Sequence, residues 1–312
     1  MDWHNTIVRG ELEKHVALVS PRRVAVVATA AAKTRYAPTL EPLAAAGHIR
    51  IVDSPAALTL DGIGVVAVVA EGLGPARLLN MQLTAPKDAG LPVVYCIPDR
   101  RLASQPPGWE NTGLSYGGMF KIAATYLTTM KSRGSYVEFG VFDGHSIVLA
   151  FHALQNVCDT FYAFDSFRGI GGTLDSETTH FKDGQYYANP ETLAYNLRFT
   201  GVDPSRVKPV PGFFSDTIEG RHPSEFGITT ASIVHIDTDV FEPALMALEF
   251  ISPVLPQGAL LLFDDYDQLD ASNHKGERRA VRAWLKAHPE FEIEPYRVYG
   301  TVCRSFLVHR SA

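Results

Sequence analysis

The sequence predicts an α/β protein in which two parallel-sheet domains follow one another along the chain. Short apolar runs rich in Val, Ile and Ala alternate with helical segments, the pattern of buried parallel strands joined by crossover helices. The length of 312 residues suits two domains better than one. A hydrophobic content of 46% with 20% charged residues indicates a large core and argues against a mainly disordered chain.

The first domain is predicted over residues 1–105 as a small Rossmann-like α/β unit. Its strands are placed at Val24–Thr29, His48–Asp53, Gly64–Val69 and Leu91–Cys96, and its helices at Pro38–Ala46 and Pro75–Ala89. The first strand leads into Thr29-Ala-Ala-Ala-Lys33, without the glycines that a phosphate-binding turn needs. We therefore favour a structural, substrate-shaping or interface role over a second small-ligand site.

The second domain is predicted over residues 106–312, after a linker rich in Pro, Gly and polar residues at 98–113. A short strand runs into Glu138-x-Gly140-x-x-x-Gly144-x-Ser146, followed by a helix over Ile147–Asn156. Glycines at such a turn let a ligand lie against the backbone near the N–H groups of the helix. The spacing departs from the dinucleotide pattern, so NAD is not favoured.

Acidic residues follow the later strand candidates of this domain. Asp165 ends the strand Phe161–Phe164, a position whose acid commonly contacts ribose hydroxyls. Asp237 and Asp239 follow the apolar run 231–236, and Asp264 and Asp265 follow the run 258–263. Carboxylates gathered at neighbouring strand ends repel one another unless a cation neutralises them. The pattern predicts a nucleoside site beside a divalent metal site, and a negatively charged turn suits S-adenosylmethionine better than ATP or NAD.

An ordered set of motifs in residues 115–310 resembles the macrocin O-methyltransferase family. The motifs are Val137-Glu-Phe-Gly-Val-Phe-Asp-Gly-His-Ser146, Phe164-Asp-Ser-Phe-Arg-Gly169, His180-Phe-Lys-Asp-Gly184, Gly212-Phe-Phe-Ser-Asp-Thr217, His235-Ile-Asp-Thr-Asp-Val-Phe241, Phe263-Asp-Asp-Tyr266 and Gly276-Glu-Arg-Arg-Ala-Val281. The resemblance implies a class I methyltransferase domain, with a Rossmann-like doubly wound sheet. It also implies methylation of sugar hydroxyls of natural products, with S-adenosylmethionine and Mg²⁺.

The resemblance also implies roles for individual residues. Metal ligands would be Asp237, Asp264 and Asp265; cofactor contacts would be Glu138, Gly140, Ser146, Asp165, Ser166, Ser215 and Asp216. Asp239 is our first choice for the general base, because a persisting strand would point it to the same face as Asp237. The alternative is that Asp239 supports the metal ligands without touching the metal, or is itself an outer ligand. His180, in the polar segment 169–190, is a candidate substrate contact or alternative base, and Tyr186, Tyr187 and His274 are weaker candidates for the cleft lining.

Two other functions stay open at this stage. Catechol-type methylation uses a similar metal site but often recruits a lysine just after the aspartate strand, where this chain has Val240-Phe-Glu-Pro243. A non-catalytic S-adenosylmethionine-binding scaffold would have no need to keep several mutually repelling acids.

Charge and cysteine content bound the partners and the compartment. The net charge of −6 argues against nucleic acid or an anionic membrane as a partner. Cys96, Cys158 and Cys303 are scattered and favour reduced, buried thiols. The absence of a signal-peptide pattern and of a membrane-length apolar run predicts a cytoplasmic protein. We expect a small-molecule acceptor and a homo-oligomeric assembly.

Overall fold

The computed structural model describes residues 3–98, 116–171 and 181–311, and it divides into two α/β units. The first unit comprises Met1–Glu110 together with Ala188–Gly201, and the second comprises Asn111–Tyr187 together with Val202–Ala312. The predicted domain division assigned residues 188–201 to the second domain, whereas in the structure they pack with the first unit.

The first unit contains a four-stranded parallel sheet in the order β2-β1-β3-β4. Its strands are β1 (Arg23–Ala28), β2 (Ile49–Val52), β3 (Ile63–Val69) and β4 (Val93–Cys96). Its helices are Trp3–Val19, Ala30–Arg35, Ala37–Ala45, Leu73–Met81, Thr84–Asp88 and Pro190–Thr200. The strands are almost entirely buried, as their unbroken Val-rich runs require of a sheet covered on both faces.

Two helical regions of this unit differ from the sequence-based expectation. The helix expected over Pro75–Ala89 is two helices, which part at Leu83, where ψ is 52°. Pro86 lies within the second of these helices, and its ring nitrogen cannot donate the hydrogen bond that would continue one long helix. The helix Trp3–Val19 was not predicted, and it contributes Val8 and Leu12 to the core of the sheet.

The helix Pro190–Thr200, which we call the inserted helix, completes this core from a distant part of the sequence. Asn189 caps it by accepting a hydrogen bond from the N–H of Thr192 at 3.0 Å, and Gly201 ends it with φ of 75°. The hydroxyl oxygen of Thr192 accepts from the N–H of Val93 at 3.0 Å, and Tyr195 lies in the apolar core. The first unit is therefore built from two separate stretches of chain.

The second unit contains a seven-stranded sheet in the order β10-β11-β9-β8-β5-β6-β7. Strand β11 is antiparallel to both of its neighbours, and the other pairs are parallel. The strands are β5 (Gly134–Phe139), β6 (Cys158–Asp165), β7 (Val207–Pro211), β8 (Ala231–Ile236), β9 (Leu260–Phe263), β10 (Phe291–Val298) and β11 (Arg304–Arg310). The helices are Tyr116–Thr129, His145–Leu154, Phe214–Thr217, Phe241–Ile251 and Gly276–Ala287.

The strand order of the second unit reverses at β5. From β5 the chain continues to β6 and β7 on one side of the sheet, and then returns to β8 and β9 on the other. In such sheets ligands bind in the crevice outside the carboxyl ends of the strands at the point of reversal. The ends of β5 and β8 therefore mark where a site is expected. Within the described ranges, no helix combines the length and apolar character that crossing a membrane requires.

Candidate active site

The turn after β5 lies against the backbone that follows β8. Gly140 has φ of 86°, and its N–H donates to the carbonyl of Phe164 at 2.9 Å. A Cβ added at Gly140 would lie 1.8 Å from the carbonyl oxygen of Asp237. The N–H of Asp237 in turn donates to the carbonyl of Phe139 at 2.9 Å. Only glycine therefore allows this approach, which brings the predicted cofactor turn and the first predicted metal ligand together.

Asp165, at the end of β6, is hydrogen-bonded to the glycine-rich turn. Its Oδ2 accepts from the N–H groups of Val141 and Phe142 at 2.7 and 2.8 Å, and its Oδ1 accepts from the N–H of Phe167 at 2.6 Å. Burial raises the pKa of Asp165, while the three N–H donors act in the opposite direction. A carboxylate has about four acceptor positions, so one position on Oδ1 remains open, and a ribose contact there stays a prediction.

Glu138 is fully buried inside the unit, behind the turn. Its Oε2 accepts from the hydroxyl of Tyr136 at 2.6 Å, and its Oε1 accepts from the hydroxyl of Ser146. The Nδ1 of the equally buried His235 lies 3.8 Å from the same Oε1. The structure thus joins the two predicted cofactor residues, Glu138 and Ser146, and holds Glu138 in a network of buried polar groups. Their contact with a cofactor stays a prediction.

The remaining predicted cofactor residues follow β6 and β7 at the same edge of the sheet. Ser166 forms a local turn: its hydroxyl donates to the carbonyl of Gly169 at 2.8 Å and accepts from the N–H of Arg168 at 3.1 Å. Ser215 and Asp216 are exposed in the four-residue helix that follows β7. An adenine contact for Ser215 and Asp216 stays a prediction as well.

The predicted metal ligands Asp237, Asp264 and Asp265 form one cluster. A carboxylate oxygen of each lies within 4.8 Å of the others. Burial raises the pKa of Asp237 well above its usual range, and the neighbouring charges of Asp264 and Asp239 raise it further. Burial also raises the pKa of Asp265, and the neighbouring charges of Asp239 and Asp237 raise it further. Gathered carboxylates that resist ionisation in this way are the environment that a bound cation stabilises. An all-oxygen donor set fits Mg²⁺ or a similar hard divalent cation.

Asp239 follows strand β8, but its backbone does not continue the strand as expected. Strand β8 ends at Ile236, and Asp239 has φ of 63°, so strand alternation does not set its direction. The neighbouring charge of Asp239 raises the pKa of Asp237 and the pKa of Asp265. A left-handed φ at a non-glycine residue is uncommon and concentrates at functional sites. Its assignment as the base stays a prediction.

Sequence reasoning missed the part played by Glu277 and Cys303 around this cluster. Glu277 is fully buried, and its carboxylate accepts from the N–H groups of Thr238 and Asp265. The thiol of Cys303 donates to Oδ1 of Asp264 at 3.1 Å, and burial raises the pKa of this thiol. Glu277 stood in a quoted motif, but the sequence cannot reveal its two partners, which lie 39 and 12 residues away.

Aromatic rings lie between the glycine-rich turn and the metal loops. Tyr186 packs edge-on against Phe142 of the turn, with centroids 6.3 Å apart, and lies 6.4 Å from Phe181. Phe181 packs with Val240 and Leu269, which belong to the loops after β8 and β9. Tyr186 is 37% exposed, so part of its surface remains available to a ligand. Tyr187 is half-buried, His274 is exposed, and His180 lies outside the described residues.

The fold is similar to that of a solved O-methyltransferase structure. The chain is similar to the solved structure of the O-methyltransferase NovP over 63% of this chain and 79% of the other, with a TM-score of 0.51 and 20% sequence identity. The class I methyltransferase fold, a Rossmann-like doubly wound sheet, is therefore confirmed.

The family model described as Macrocin-O-methyltransferase (TylF) matches residues 119–289, and the chain belongs to this family. A curated relative from Streptomyces olivaceus, 8-demethyl-8-(2,3-dimethoxy-alpha-L-rhamnosyl)-tetracenomycin-C 4'-O-methyltransferase, is 28% identical over 143 residues. That match covers 43% of this chain and 53% of the relative, so the chain spans about half the length of the curated relative. The predicted resemblance is confirmed by these matches.

Proposed function

We propose that this protein is an S-adenosylmethionine- and divalent-metal-dependent O-methyltransferase that acts on a hydroxyl of a sugar or polyhydroxylated natural product. The observation that carries the proposal is the cluster of Asp237, Asp264 and Asp265, with ligand atoms within 4.8 Å, beside a glycine-rich turn at the strand-order reversal. Membership of the macrocin O-methyltransferase family and the sugar-bearing substrate in the relative's name support the same acceptor class.

The groups that the site would bind supply the reactive chemistry. S-adenosylmethionine would supply a methyl group on a sulfonium, which is already activated for displacement by an oxygen nucleophile. A divalent ion held by Asp237, Asp264 and Asp265 would supply the charge that lowers the pKa of an acceptor hydroxyl.

The protein's own residues would orient the reactants and remove a proton. Gly140 lets the glycine-rich turn lie against the backbone of Asp237, and the free acceptor position of Asp165 would fix the ribose. The carboxylate of Asp239 is our proposed acceptor of the hydroxyl proton. Alignment matters most in this reaction, because the oxygen, the methyl carbon and the sulfur must lie in line.

We assign the acceptor to the space beside Tyr186. Its ring lies between the cofactor turn, through Phe142, and the metal loops, through Phe181. A partly exposed aromatic face suits the C–H face of a sugar ring, while the acids address its hydroxyls. The homo-oligomeric assembly expected from the sequence remains part of this proposal.

The direct test is a transfer assay with labelled S-adenosylmethionine and a panel of rhamnosides, other glycosides and catechols, analysed by mass spectrometry. We expect methylation of a glycoside, loss of turnover with EDTA, and recovery with Mg²⁺. Asp264→Asn should remove turnover while leaving S-adenosylhomocysteine binding within about threefold, since the cofactor contacts are elsewhere. Preferred turnover of catechols would replace the sugar assignment, and cofactor binding without turnover on any acceptor would support a scaffold.

A further inference from the structure

We propose that Glu277 is a positioning residue that holds the two acid-bearing loops in the geometry needed for metal binding. The inference rests on the metal site of the proposed function and extends it to a residue outside the ligand set. It is drawn from three features: the hydrogen bonds of Glu277, its complete burial, and the contacts of Gly276 next to it.

The carboxylate of Glu277 connects two loops that are separate in sequence. It accepts from the N–H of Thr238 at 3.3 Å, in the loop that carries Asp237 and Asp239. It also accepts from the N–H of Asp265 at 3.0 Å, in the loop after β9. One side chain therefore sets the separation of the backbones that present the cluster, without itself belonging to the group of candidate ligands found among the described residues.

The burial of Glu277 makes this connection rigid. The side chain is fully buried at the start of the helix Gly276–Ala287, where the partial positive charge of the helix terminus stabilises a carboxylate. A buried carboxylate that lost its N–H partners would be left unsatisfied, so movement of either loop is opposed.

Gly276 brings the start of the helix against the same two loops. A Cβ at this position would lie 3.2 Å from the carbonyl oxygen of Asp239 and 3.1 Å from Cδ1 of Leu269. The backbone at the helix start thus lies close to the carbonyl of Asp239 in one loop and to the side chain of Leu269 in the other, in addition to the hydrogen bonds of the Glu277 carboxylate. Outer-shell groups that orient ligands commonly change metal affinity by about 10- to 100-fold when removed.

The test is Mn²⁺ binding by calorimetry to the full-length protein, with S-adenosylhomocysteine binding measured separately. Glu277→Ala removes both acceptors, and we expect it to weaken Mn²⁺ binding about 10- to 100-fold. Glu277→Gln keeps one acceptor oxygen but places an amide N–H₂ opposite the other N–H, so we expect an intermediate loss. Glu242→Gln is the matched control, because Glu242 is an exposed glutamate in the first turn of the neighbouring helix. It should bind Mn²⁺ like the wild type.

If Glu277 only supported the fold, its replacement would lower the affinities for Mn²⁺ and for S-adenosylhomocysteine together. If Glu277 positions the acid-bearing loops, its replacement lowers the Mn²⁺ affinity selectively. Amide hydrogen exchange adds a readout without metal: the N–H groups of Thr238 and Asp265 should be protected in the wild type and should both exchange faster in Glu277→Ala. Unchanged Mn²⁺ affinity in folded Glu277 variants, or fast exchange of both amides in the wild type, would overturn the proposal. If Mn²⁺ binding responds as expected but no acceptor is methylated, the proposed function fails while the positioning role stands.

Discussion

Replacing Gly140 by alanine should separate the two halves of the site and destabilise the second unit. Two physical effects add at this position. A left-handed φ costs an alanine about 1–2 kcal/mol, and the added Cβ would lie 1.8 Å from the carbonyl oxygen of Asp237. Relieving that overlap requires backbone movement, which typically costs a further 1–3 kcal/mol or so. We therefore expect Gly140→Ala to lower the free energy of unfolding by about 2–5 kcal/mol.

The matched control is Gly220→Ala, in the same unit. Gly220 has φ of 68°, but a Cβ there meets nothing within 4 Å, so only the backbone effect applies. Denaturant unfolding followed by circular dichroism gives both values on the same transition. We expect Gly220→Ala to lose about 1–2 kcal/mol, and Gly140→Ala to lose clearly more and to weaken S-adenosylhomocysteine binding. Equal losses for the two variants would refute the close approach of Gly140 to Asp237.

Three further predictions concern other residues of the two units. Burial, and to a smaller extent the charge of Lys14, lower the pKa of His15 to about 3, below its unfolded value of 6.5. Neutral His15 therefore contributes to the free energy of unfolding above pH 6.5, and this contribution is lost as the pH falls towards 3. When the pH is lowered from 7 to 5, the free energy of unfolding of His15→Gln should fall by about 2 kcal/mol less than that of the wild type. The same pH dependence of unfolding in both proteins would contradict this pKa. Asn189→Ala removes a helix cap and a buried donor to two carbonyls. Hydrogen exchange in β4 should therefore report a local free energy of unfolding that is lower by about 2–4 kcal/mol. Unaltered protection of β4 would argue against the inserted helix as part of this core. Asp239→Asn should lower kcat about 100-fold or more and leave Mn²⁺ affinity within a few-fold, whereas equal losses of both would indicate a ligand or supporting role.

The positions of the acids at strand ends could be predicted because parallel strands have a simple sequence signature. The apolar runs before Asp165, Asp237 and Asp264 form β6, β8 and β9, and pairing then places their ends at one edge of the sheet. Strand positions depend on burial, which the local sequence indicates through unbroken apolar runs. The clustering of Asp237, Asp264 and Asp265 follows from that pairing.

Contacts between distant segments could not be predicted in this way. The inserted helix has local signals, with Asn189 as cap, Pro190 at its start and Gly201 at its end. Its place in the first unit depends on partners such as Val93, about a hundred residues earlier, which no local pattern identifies.

Backbone direction within loops was the second limit. Asp239 was placed by strand alternation, but the strand stops at Ile236 and φ at Asp239 is 63°. The carboxylate of Glu277 was not assigned a role, because its partners are backbone N–H groups, which every residue but proline possesses. Side-chain chemistry alone gives no signal for such contacts.

The central claim is that Asp237, Asp264 and Asp265 hold a divalent cation beside the methyl donor. The most direct measurement is anomalous diffraction from crystals grown with Mn²⁺ and S-adenosylhomocysteine. We predict an anomalous peak within bonding distance of all three carboxylates, with the cofactor along the turn at Gly140 and its ribose at Asp165. A bound cofactor with no peak at these acids, or a peak at a different site, would contradict the claim.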